Sequence, residues 1–226
     1  MKKGKKILLL VGLPLVIIAC VGTGLFFLVN EITAKNTFTN EINSLSETNI
    51  NTEVVSKGDY GKVEGLLKND FKVYVESAAK LVENYKKIED LKPLNIEVYK
   101  TDGPEFVNTK ETVTRIKEEN ANISSTLKEL VSEEGINKKI EENVLNDKFS
   151  KLYKEVQENM QLKEGIDTIV EADSKFDTFL DAILKVLDYL IANKDKWFIE
   201  NNTLKSTDKT FIDEYNELIK NTNVNF

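Results

Sequence analysis

Apolar residues recur along most of this chain at alternating steps of four and three, the spacing of a helical seam. From Tyr60 to Leu91 the seam runs Leu67, Phe71, Tyr74, Ala78, Leu81, Tyr85 and Ile88, which predicts one helix of about 30 residues. Asp59 stands before it as a candidate N-cap. A second helix is expected over 105–132 on Val113, Ile116, Asn120, Ile123, Leu127 and Leu130. Asn120 is the odd member, and it either fixes register or partner choice from inside the seam or reaches solvent at an imperfect position. A third helix, 136–161, is carried by Ile140, Leu145, Phe149, Leu152 and Val156. The fourth, 166–194, is the most apolar, with Phe176, Leu180, Ile183, Leu187 and Leu190 on the seam and further apolar residues beside it.

The breaks between these helices are expected at Gly135, at Gly165 and over 92–104, where Pro93 and Asp102-Gly103-Pro104 frame a β-favouring run at Ile96, Val98 and Tyr99. An ordered crossover of that length is a candidate binding edge, with Tyr99 at its centre. Residues 30–58 are rich in Asn, Thr, Ser and Glu and read as a stalk helix or tether, with sparse apolar positions at Ile32, Phe38, Ile42 and Leu45. Charged residues between the seams, such as Glu141, Glu142, Lys151 and Lys154, read as solvated surface.

A different pattern stands at the start. From Ile7 to Val29 the sequence ILLLVGLPLVIIACVGTGLFFLV holds no charge, and about 23 helical residues span roughly 34 Å, enough to cross a bilayer. Lys2, Lys3, Lys5 and Lys6 precede it and Glu31 follows. The expected orientation therefore has residues 1–6 in the cytoplasm, 7–29 spanning, and 59–226 as an extracytoplasmic domain. Ile17, Ile18, Ala19 and Cys20 offer a second reading, a lipoprotein signal cleaved before a lipidated Cys20. The apolar continuation after Cys20 favours the uncleaved anchor, and both readings put the domain outside the same membrane. Since the chain ends at Phe226 on that outer side, any signalling is expected to go through another protein.

Charge and composition narrow the chemistry. The formal charge is -7, and setting aside the four N-terminal lysines leaves -11 for the rest, a balance repelled by nucleic acid. Arg115 is the only arginine, so bidentate phosphate clamps are nearly absent. There is no histidine, and Cys20 is the only cysteine. His bases, Ser-His and Cys-His pairs, disulfides within the chain and the usual zinc sites are thereby removed. Adjacent carboxylates such as Glu118 with Glu119 point about 100° apart on a helix and are poorly placed to share a proton or a metal. No calcium loop, phosphate cradle or nucleophile elbow is recognisable. The expectation is a protein without catalytic residues, cofactor or metal.

The tail holds the single Trp in Lys194–Phe198, then a polar connector over 200–204 and a short last helix with Phe211, Tyr215 and Leu218. This order, with DEYNELIK at 213–220, resembles the C-terminal end of uncharacterised helical proteins anchored at the cell surface of Gram-positive bacteria. The resemblance implies a surface-anchored helical protein and brings no catalytic residues. Trp197 is expected to cap the end of the helices beneath the last one, or else to anchor a partner. The fold expected is all-α: one transmembrane helix, then an extracytoplasmic antiparallel bundle of four long helices plus a short C-terminal helix. Its function would be contact with another protein or an envelope component, with Trp197, Tyr99 and Asn120 as candidate interaction residues. The other reading is a ligand-binding lipoprotein or transport accessory with a pocket lined by Tyr74, Tyr85 and Phe149.

Overall fold

Helical seams fold as helices when each apolar stripe finds a surface to cover, and here most of them do. The computed structural model describes residues 34–46, 50–91 and 95–222. Eight α-helices lie among them: α1 (Ala34–Asn43), α2 (Gly58–Leu91), α3 (Ile96–Thr101), α4 (Val107–Val131), α5 (Glu133–Glu142), α6 (Asp147–Asn159), α7 (Leu162–Ala192) and α8 (Lys209–Asn221). One short hairpin, β1 (Phe198–Glu200) and β2 (Thr203–Lys205), precedes α8. The described part of the chain is thus all-α apart from that hairpin. No helix among the described residues is long and apolar enough to cross a membrane. The expected anchor over 7–29, with Cys20, lies outside the described residues.

Every residue of the first seam, from Leu67 to Ile88, is buried in α2. The third expected helix is two. The chain leaves α5 at Asn143, passes through Val144 in the left-handed region (φ 50°), and restarts α6 where Asn146 accepts the Phe149 N–H at 3.3 Å. The seam shifts accordingly: Tyr153, Val156, Gln157 and Met160 are buried, while Leu145, Phe149 and Leu152 are only half-buried. Neither expected glycine break ends a helix. Ser132 caps α5, and Gly135 lies in its first turn, where a Cβ would meet the Glu129 carbonyl oxygen at 2.0 Å and glycine is therefore required. The break before α7 falls at Gln161 (φ 51°), between the buried Met160 and Leu162, so Gly165 is inside the helix.

The described chain forms two compact units. One comprises residues 34–80 with Ile123–Val170. In the stretch read as stalk or tether, α1 buries Phe38 and Ile42, with Leu45 buried just beyond it, and Phe38 lies against Tyr60. Two charged clusters are buried in this unit. Asp70 accepts from Lys139 at 2.7 Å, Gln157 at 2.9 Å and Tyr153 at 2.5 Å, joining α2 to α5 and α6. Burial, with the Asp70 charge beside it, pushes the Tyr153 hydroxyl far up, so it stays a proton donor. The second cluster centres on Lys68, which donates to Glu41 and pairs with Glu64.

The other unit comprises Leu81–Asn122 with residues 171–222. Here α2, α4 and α7 are tied by a relay of side-chain amides. Asn84 donates to Asn120 Oδ1 at 2.8 Å, and Asn120 donates to Asp173 at 2.9 Å. Because the Asp173 carboxylate can only accept, the orientation of both amides is set. The seam position of Asn120 is therefore buried, at 2% exposure, rather than reaching solvent. On the outer side Lys117 of α4 bridges Asp177 and Asp181 of α7 at 2.9 and 2.7 Å.

Candidate interaction surface

The 96–104 crossover and the Trp197 tail meet at one end of the second unit. Asn95 caps α3 by accepting the Glu97 N–H at 3.2 Å, which turns the expected β-favouring run into a helical turn with Tyr99 on its inner side. Residues 92–94 of the crossover lie outside the described residues. Asp102 then caps α4: its carboxylate takes the backbone N–H of Asn108 at 3.2 Å and of Thr109 at 2.7 Å, plus the Thr109 hydroxyl at 2.6 Å. Burial would raise the Asp102 pKa, but these hydrogen bonds outweigh it and hold the carboxyl below its ordinary range.

Between Asp102 and the amides it caps, the chain drives Phe106 inward. It is fully buried with a left-handed backbone (φ 48°), and its ring stacks on Trp197 at 6.0 Å and meets Tyr99 edge-on at 5.4 Å. The Trp197 indole N–H donates to the Leu190 carbonyl at 2.9 Å, which ties the tail to the last turn of α7. Tyr99 and Tyr215 share a hydroxyl–hydroxyl hydrogen bond of 2.9 Å, and burial pushes both phenols up. Helix α8 reaches the α7 side by stacking Phe211 on Tyr189 at 5.3 Å. The Tyr189 hydroxyl is pushed up to about 12, by desolvation first and then by its hydrogen bond to Glu214. None of these phenols is poised to exchange a proton near neutral pH.

The stretch expected as a polar connector is the hairpin. Asn201 and Asn202 (φ 51° and 57°) form the two left-handed positions of its turn, a conformation that Asn tolerates and that matches strand twist. Ile199 faces Leu204, and both are half-buried. Strand alternation sends Phe198 to the opposite face, where it is 48% exposed. Four lysines of this unit hold carboxylates: Lys100 with Glu97, Lys194 with Glu105, Lys196 with Asp208, and Lys205 with Glu200. The result is an exposed apolar ring in a unit whose lysines are largely ion-paired, an arrangement suited to recognition by contact.

Of the expected interaction residues, Trp197 is half-buried in this cluster, Tyr99 is 4% exposed beside it, and Asn120 lies in the amide relay. Cys20 lies outside the described residues. Two participants were not singled out from sequence, Phe106 and Phe198. The Asn-Asn pair was the available signal for the second, since it marks a hairpin turn. Tyr74 packs on Phe71, Tyr85 on Phe176 and Phe149 on Tyr60. Among the described residues no group of His, Cys, Asp and Glu is placed to hold a metal ion. Comparison with protein-family models, curated proteins and solved structures finds no match to this chain.

Proposed function

We propose that this protein is a membrane-tethered, non-enzymatic antiparallel helical bundle displayed outside a bacterial cell membrane, where it acts by contacting another protein or an envelope component. The observation that carries the placement is the uncharged run from Ile7 to Val29 between a basic N-terminus and an acidic remainder. The resemblance of the tail to surface-anchored Gram-positive proteins agrees with it. The contact is assigned to the aromatic end of the second unit, where Phe198 is exposed on the hairpin that follows Trp197. Cross-linking in intact cells followed by capture of the full chain tests this. Phe198→Ser should lower partner recovery at least about ten-fold, a typical hot-spot loss, with an unchanged melting temperature. Equal recovery by both chains would move the contact elsewhere.

The lipobox-like Ile17-Ile18-Ala19-Cys20 favours a second reading, a ligand-binding lipoprotein or transport accessory. Cys20→Ser separates the two. Membrane attachment should survive in a spanning anchor and be lost or misprocessed in a lipoprotein.

A further inference from the structure

The Asp70 carboxylate divides its two oxygens between different kinds of partner. On Oδ1 sits a nitrogen nucleophile, Lys139 Nζ at 2.7 Å. On Oδ2 sit two donors, the Tyr153 hydroxyl at 2.5 Å and the Gln157 side-chain amide at 2.9 Å. Gln157 also donates to the Tyr153 oxygen at 3.1 Å, which keeps the Tyr153 proton directed at Asp70. Asp70, Tyr153 and Gln157 are all buried, while the Lys139 side chain is 21% exposed, so only the Oδ1 side borders solvent. Lys68, the buried lysine of the other cluster, is held differently. It meets Glu41, Glu64 and the Glu53 carbonyl, and although burial would lower its pKa, the bonds to Glu41 and Glu64 raise it and keep the group cationic. Among the described residues Lys139 has Asp70 as its one carboxylate, with the Leu130 carbonyl beyond it at 3.5 Å. A proton passed from Nζ to Oδ1 therefore leaves an amine with no second anion to recharge it, in contact with a carboxyl.

We infer that Lys139 and Asp70 condense to an amide, a covalent link between α2 and α5 that the folded chain forms by itself. Nζ transfers one proton to Oδ1 across their hydrogen bond, and its lone pair attacks Cγ. The charge that develops on Oδ2 is met by the Tyr153 and Gln157 donors already in place at that oxygen. A second proton follows from nitrogen to Oδ1, the Cγ–Oδ1 bond breaks, and Oδ1 departs as water on the solvent side. The ammonium has then given up two of its three protons, carbon keeps its oxidation state, and no co-reactant is consumed. Oδ2 becomes the amide carbonyl oxygen and keeps both donors, so no buried polar group is orphaned. Two effects favour the step. Reacting groups held in contact can act at effective molarities of about 10⁵ to 10⁸ M, and two charges withdrawn from water give way to one neutral amide. A chain whose only cysteine is Cys20 can form no disulfide within itself, and this bond closes the 69-residue span between the two helices instead.

Mass spectrometry of the full-length chain, purified from membranes, denatured and digested with trypsin, tests this. Residues 69–72 and 139–148 should be recovered as one branched peptide, lighter than the two together by one water, with the chain uncut after Lys139. On denaturing gels the wild type should run as a more compact species than Lys139→Arg or Asp70→Ala, neither of which can form the link. Tyr153→Phe keeps the ring and removes one donor from Oδ2, so in a pulse-chase it should form the branched product at least about ten-fold more slowly. Recovery of the two wild-type peptides apart, each at its full mass, would overturn the inference. An unchanged rate in Tyr153→Phe would overturn the part given to the Oδ2 donors.

Discussion

Val144 is a β-branched residue held in the left-handed region, at 80% exposure, between α5 and α6. Its methyls gain little from burial, while its backbone carries a strain that Asn or Gly would not. Val144→Asn should therefore raise stability by about 1 kcal/mol, measured as a shift in the urea midpoint with an unchanged slope. A loss of stability would mean that Val144 makes contacts its exposure conceals. Trp197 pulls the other way. With one indole face on Phe106 and its N–H on the Leu190 carbonyl, its emission should be blue-shifted and Trp197→Ala should destabilise by about 3 kcal/mol. Emission typical of free indole, with an unchanged melting temperature, would instead make Trp197 part of the contact surface.

At the scale of the element, the fourth expected helix, α7, buries Ile183 and Leu187 fully, one turn apart. Truncating either to Ala should cost about 2 to 5 kcal/mol, against less than about 0.5 for Lys151→Ala or Glu142→Ala on exposed faces. Comparable losses in denaturant melts at both kinds of site would contradict the assignment of faces. The cap of α4 gives a pH-dependent counterpart. The Asp102 carboxyl is held below its ordinary value of 3.8, so its contribution is present above that value and is lost as pH falls through the lower folded value. Asp102→Ala should cost about 1 to 2 kcal/mol at neutral pH, and the gap between variant and wild type should close as pH drops below about 4. A gap that persists in acid would mean the loss comes from packing.

Which elements could be read from sequence follows from how local their causes are. The α2 and α7 seams were legible because a heptad-like spacing dictates one buried face whatever it packs against. The break between α5 and α6 was not, since Asn143 and Asn146 are ordinary surface residues in composition and act only as caps. Nor were Lys68, Glu64 and Asp70: pattern reading sends charges to water, and Glu41 and Lys139, which compensate Lys68 and Asp70, lie 27 and 69 residues away in sequence. At the candidate surface, Trp197 and Tyr99 stood out by type. Their meeting depended on the caps at Asn95 and Asp102, which redirect the crossover.

For the whole molecule, the described residues supply helices, buried charge clasps and an aromatic end, while the proposed placement rests on the arrangement of charge about residues 7–29. Four lysines stand before that run and Lys35 is the nearest after it, the lysine bias on which the proposed orientation rests. The acidic balance of the chain and the exposed Phe198 are what the proposed contact draws on. The most direct measurement is protease added to intact cells stripped of their wall, followed by detection of the apolar segment and the domain separately. The account predicts that the domain is digested while the 7–29 segment remains in the membrane. A domain left intact until the membrane is opened would contradict it.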